Sequence, residues 1–202
     1  SAIIIFSVVF SKAQTSYDFI DINNVKARIW GSGDLFWDMI GNAQFEVPNG
    51  GGTHTIFAGN LWIGGIDQAG KLHVAGQNYR QGGDDFWPGP LDTTTATITV
   101  ANSTTWDKIW KINKSSIDSF RLGLLGTTPP EILNWPGNGS SEQAHNLAPY
   151  VDVNSDGDYT PLQGDYPCIR GDQAVYFIYN DALVGTPHGE TGALPLANAS
   201  SL

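Results

Sequence analysis

The sequence predicts a mostly β fold: sandwich-like antiparallel sheets with one or two short helices and long Gly/Pro-rich loops. Glycine (24) and proline (11) recur along the 202 residues and cut the chain into short runs, most of them too brief for a helix. Those runs are rich in β-branched and aromatic residues, which favour a pleated, half-buried surface. Helix start and stop signals are few. With 41% hydrophobic residues, a packed domain is expected rather than disorder.

The elements follow in order. Ala2 to Phe10 reads AIIIFSVVF, an unbroken apolar run, and Ser11-Lys12-Ala13 comes next. This is the pattern of the apolar region and small-residue cleavage site of a secretory signal peptide, and it is too short for a membrane-spanning helix. Residues 1–13 are therefore expected to be a signal remnant, and 14–202 a single β-rich domain that continues beyond Leu202. The alternative is a buried strand. Strands are expected at 25–30, 43–47, 53–58, 60–66, 72–79, 96–100, 108–112 and 174–179. Asp67-Gln68-Ala69-Gly70 is the turn of a hairpin. Lys108-Ile109-Trp110-Lys111-Ile112 alternates with period two, as a strand with one wet face does. Trp62, between Leu61 and Ile63, is expected in or against the core. A helix is expected over 114–122, where Ser115 and Asp118 have capping-box spacing. A single helical turn is expected over 129–135, which opens on two prolines and Glu131.

The formal net charge is −10. Such a surface repels nucleic acid and anionic membranes and suits cations, and no Lys/Arg cluster offers a phosphate-binding face. The lone Cys168 excludes an internal disulfide and is expected to be a small buried residue. His54, His73, His145 and His188 are scattered without zinc spacing. Gly31-Ser32-Gly33 lacks the third glycine and following helix of a dinucleotide site. No catalytic constellation emerges, so no enzyme activity and no catalytic residue are expected.

The stretch DVNSDGDYTPLQGDYP, which begins at Asp152, carries chemistry. Asp152, Asn154, Asp156 and Asp158 occupy loop positions 1, 3, 5 and 7, with Gly157 at 6. Hard Ca²⁺ takes about six to eight oxygens, and alternate residues of a tightly turning loop can supply them. Gln163 stands where an EF-hand has its bidentate glutamate, so Asp165 is the expected replacement. Tyr159 supplies an apolar anchor. The expected ligands are Asp152, Asn154, Asp156, Asp158 and Asp165, and the expected cofactor is Ca²⁺ as a structural staple. The competing reading is an Asp/Asn/Gly-rich turn satisfied by its own amides.

Seven tryptophans are many for this length. Trp87 and Trp135 each precede Pro-Gly. Rings on stiff loops can stack on sugars, so both are candidate glycan contacts, with Asp84, Asp85 or Asp92 nearby. The competing reading is packing at the ends of a β core.

A series of motifs completes the reading: Gly33-Asp34-Leu35-Phe36-Trp37-Asp38, Phe45-Glu46-Val47-Pro48, Ile56-Phe57-Ala58-Gly59-Asn60-Leu61-Trp62, Asp85-Phe86-Trp87-Pro88-Gly89-Pro90, Ile132-Leu133-Asn134-Trp135-Pro136 and Gly171-Asp172-Gln173-Ala174. In this order they resemble the N-terminal region of large secreted surface proteins of the Bacteroidota. Such proteins are typically exported by the type IX system through a C-terminal sorting domain. The resemblance implies a secreted, extracellular or cell-surface place, and it includes the 152–165 loop as calcium-binding. The expected function is a structural or adhesive module of an exported surface protein. Its expected partners are a surface glycan or another surface protein, together with the rest of its own longer chain. The alternative is a carbohydrate-binding or carbohydrate-active module.

Overall fold

The computed structural model describes residues 16–66, 68–76 and 86–181. The signal-peptide segment, the end of the expected 72–79 strand, Asp84, Asp85 and His188 lie outside them.

The described chain is mostly β. Its strands are β1 (Tyr17–Ile20), β2 (Lys26–Trp30), β3 (Asp34–Leu35), β4 (Phe45–Glu46), β5 (Gly59–Asn60), β6 (Trp62–Ile66), β7 (Leu72–Gly76), β8 (Trp87–Pro88), β9 (Trp110–Asn113), β10 (Tyr150–Val151), β11 (Tyr166–Pro167), β12 (Gln173–Tyr176) and β13 (Tyr179–Asn180). Three short helices accompany them: α1 (Val100–Thr105), α2 (Lys114–Arg121) and α3 (Pro130–Leu133). Every strand pairing is antiparallel. One sheet runs β1-β2-β3-β5 with β4 also on β2, and four two-stranded ribbons join β6–β7, β8–β13, β9–β12 and β10–β11.

The larger core cluster lies where β9, α2 and α3 meet: Ile112, Ile117, Ile132, Trp135, Ala148 and Tyr159 are buried together. The strand expected over 108–112 forms from Trp110, and over its strand part the period-two reading holds, since Ile112 is 1% exposed while Lys111 turns the other way to Asp21 at 2.8 Å. Helix α2 forms as expected, but its charges act differently. Asp118 pairs with Lys114 one turn back and lies 3.6 Å from Arg121, so it braces the helix face instead of closing a capping box.

Four expectations are corrected. The 96–100 run is not a strand. Thr99 accepts the amide of Asn102 at 3.1 Å and caps α1, so a local side-chain cap prevails over β propensity. The 53–58 run contributes one bridge, His54 to Glu46. Trp62 is 65% exposed; it opens a two-stranded ribbon opposite Gly76, and its ring lies across that glycine. Cys168 is exposed, while its backbone amide donates to Pro149 O at 3.0 Å.

Candidate metal centre

Strands β10 and β11 form the neck of the 152–165 loop, with Val151 opposite Tyr166. Continuing that antiparallel register by one residue brings Asp152 and Asp165 face to face at the mouth of the loop. The chain then turns through Ser155 (φ 61°) and Gly157 (φ 87°). These left-handed conformations fold the first half of the loop back on itself. A 3₁₀ turn over Pro161–Gln163, ended by Gly164 at φ 111°, returns the chain to Asp165.

One carboxylate oxygen from each of Asp152, Asp156 and Asp165 lies within 4.8 Å of the other two. Oxygens sharing a Ca²⁺ at about 2.3–2.6 Å sit no more than about 5.2 Å apart, whereas the shorter Mg²⁺ bonds allow about 4.2 Å. Oxygens that lie within 4.8 Å of one another are close enough to share one Ca²⁺. The donors are also of the right kind, being hard oxygens on a loop of acidic and amide side chains.

The carboxylates are oriented before any ion is considered. Asp165 is 0% exposed. Its Oδ1 accepts Val153 N at 2.8 Å, and its Oδ2 accepts Thr160 N at 2.7 Å and the Thr160 hydroxyl at 3.0 Å. Burial alone would push this carboxyl up, but these hydrogen bonds outweigh it and hold the pKa below its ordinary value. Asp152 accepts Ser155 N at 2.6 Å and Gly157 N at 2.8 Å, one on each oxygen. Asp156 accepts Asp158 N at 2.8 Å. The carboxylates that satisfy the turn's amides are the same three that could hold a metal ion. Asp165 Oδ2 already accepts two donors, whereas Asp165 Oδ1 and both Asp152 oxygens accept one each, which leaves a lone pair on each.

Three carboxylates this close repel one another. Among the described residues, no Lys or Arg forms an ion pair with Asp152, Asp156 or Asp165. The Asn154 amide partly relieves the repulsion by donating to Asp156 Oδ2 and Gln163 Oε1, both at 2.7 Å. A cation between these oxygens would serve the same purpose more strongly.

Not every expected ligand joins the cluster. Asp158 points to His145 Nε2 at 3.4 Å, so its carboxylate stands apart from the other three. In loops of this kind the residue at position 7 contributes its backbone carbonyl instead. Thr160 and Gln163 were not anticipated, although both are oxygen-bearing side chains inside the quoted stretch. Gly157 O accepts both the Tyr150 hydroxyl and His145 Nε2 at 2.8 Å.

The loop is fastened to the core through Tyr159, the expected anchor. Its ring is 7% exposed, its hydroxyl donates to Ile132 O at 2.6 Å, and its amide donates to Asn138 Oδ1 at 2.7 Å. Burial, with Asp165 adding to it, pushes its pKa well above the ordinary tyrosine value. Gly137 makes the seat, since a Cβ there would collide with the Tyr159 side chain.

The two candidate glycan-stacking rings are packed inside. Trp135 is 4% exposed and donates its indole N–H to Pro149 O at 3.1 Å. Trp87 is 6% exposed and lies with Ile98 and Leu91. Neither offers a ring face for a sugar. Asp92 is occupied by the amides of Thr94 and Thr95, each at 2.8 Å.

Comparison with known proteins adds no relative: no family model, no curated protein and no solved structure matches the chain. Among the described residues, no helix is long and apolar enough to cross a membrane.

Proposed function

We propose that this chain is a structural or adhesive module of an exported surface protein, and that Ca²⁺ bound at the 152–165 loop staples it. The observation that carries the reading is the convergence of Asp152, Asp156 and Asp165 within 4.8 Å on a loop that Tyr159 ties to the main core. An ion there would join both halves of a long loop to the β10–β11 neck. The role is structural because the most buried member, Asp165, is engaged by three donors and has no proton to exchange near neutral pH. Export is supported by the apolar run from Ala2 to Phe10 and by the resemblance of the motif series to that of secreted surface proteins. Outside the cell, sites with a Kd of about 10⁻⁴–10⁻³ M are filled.

Isothermal titration of chelator-treated protein with CaCl₂, and separately with MgCl₂, tests the ion. The expected result is one Ca²⁺ per chain and a much weaker response to Mg²⁺. No heat of binding at millimolar Ca²⁺ would remove the staple from the account.

A further inference from the structure

A second site lies away from the metal loop. A cleft of about 580 Å³ opens between Trp106, Lys108 and Trp110 on one side and Asn134 and Pro136 on the other, a volume suited to a small ligand. The Trp106 and Trp110 rings stand 6.0 Å apart, tilted by 54°. Both are half-buried and held from behind. Trp106 caps the C-terminus of α1 and packs so closely on Gly89 that a Cβ there would come within 2.9 Å. Trp110 is fixed opposite Tyr176 in the β9–β12 ribbon, with ring centroids 6.5 Å apart.

Of the polar side chains around this cleft, Thr105 donates to Ala101 O at 3.0 Å. Among the described residues, Trp30, Trp37 and Trp135 use their indole N–H groups, whereas Trp106 and Trp110 do not. The exposed Asn134 spends its backbone amide on Pro130 O at 2.9 Å, but its side-chain amide makes no hydrogen bond among the described residues. Lys108 is exposed and in no ion pair among them, while the neighbouring Asp107 carboxylate turns to Ser16 N at 3.1 Å. Two half-buried tryptophans, an asparagine and a lysine that forms no ion pair among the described residues therefore line one cleft.

We propose that this cleft binds a saccharide bearing a single carboxylate. The C–H face of a pyranose packs on tryptophan rings, its hydroxyls suit the indole and amide groups, and a uronic-acid carboxylate suits Lys108. A polyanionic chain is a poorer fit, because the protein's net charge of −10 repels it at range. The site is independent of calcium.

The test titrates the full chain, in chelator, with cellobiouronic acid and with its neutral counterpart cellobiose. Wild type should bind the acid about tenfold more tightly. Lys108→Ala, a change at an exposed position, should remove that preference while leaving the thermal midpoint in place. Asn134→Ala should weaken both sugars several-fold. Binding of neither sugar, equal binding of both by wild type, or an undiminished acid preference in Lys108→Ala each overturns the proposal. None of these outcomes bears on the metal loop.

Discussion

Asp165 and Asp156 belong to the same cluster but differ in what the apo fold asks of them. Asp165 is buried and accepts three hydrogen bonds. An amide in its place sets an N–H₂ against a backbone N–H, so Asp165→Asn should cost roughly 1–3 kcal/mol even in chelator. Asp156 is exposed. Asp156→Ala should leave the chelator midpoint within about 0.5 kcal/mol of wild type while abolishing the calcium response. Denaturant melts of both variants, with and without Ca²⁺, measure the contrast. Acid should act through the same groups. The folded pKa of Asp165 lies below its unfolded value of 3.8, and that of Asp38 is lowered further, chiefly by the Asn42 amide. A depressed folded pKa gives stability that is present above the unfolded pKa and lost as pH falls through the folded one. Stability should therefore be flat near neutrality and decline below about pH 4. Calcium affinity should weaken over the same range, because protons compete for the ligands. A melting midpoint that rises on acidification from pH 5 to pH 3 would contradict this assignment.

Among the elements, β2, β6, β7, β9, β12 and both anticipated helices were legible because their patterns run over four or more residues, whereas the four-residue β1 lay outside every expected strand. Strands β3, β5, β8, β10, β11 and β13 are two residues each, too short for any periodicity, and distant pairing defines them. The 96–100 run misled because β-branched residues dominate it, while the deciding feature was a single hydroxyl on Thr99. The metal loop was readable to the extent that its backbone is regular. Alternate spacing brings Asp152 and Asp156 together, and the β10–β11 register adds Asp165. After Gly157 the chain departs from that spacing and sends the Asp158 carboxylate to His145. Trp62 shows the limit of hydrophobicity as a guide, since an apolar run does not say whether its ribbon is covered. Trp62→Ala should therefore cost under about 1 kcal/mol, whereas Trp135→Ala should cost about 3–5 kcal/mol. Chemical denaturation of the pair ranks them, and equal losses would place Trp62 back in the core. Gly137→Ala tests the seat between loop and core. Its Cβ must displace Tyr159, which should cost about 1–3 kcal/mol and also weaken calcium binding. A loss of stability with unchanged calcium affinity would uncouple Tyr159 from the site.

Over the whole molecule, the sheets are small and joined by long loops, so much of the chain depends on side chains that tie loops to core. Asp165, Tyr159 and Asn138 do this around the metal loop. Lys111 does it between β9 and the first strand, and Gln173 bonds both Asp21 and Asn113. A cation that draws three mutually repelling carboxylates together should accordingly raise the stability of the cooperative unit and not merely order a surface loop. At a Ca²⁺ concentration 100 times Kd, linkage gives about 2.7 kcal/mol. Differential scanning calorimetry of the chain in millimolar Ca²⁺ and in chelator measures this directly. The account predicts one transition whose midpoint rises with Ca²⁺ in wild type and stays fixed in Asp156→Ala. A wild-type midpoint that is the same in both buffers would contradict it.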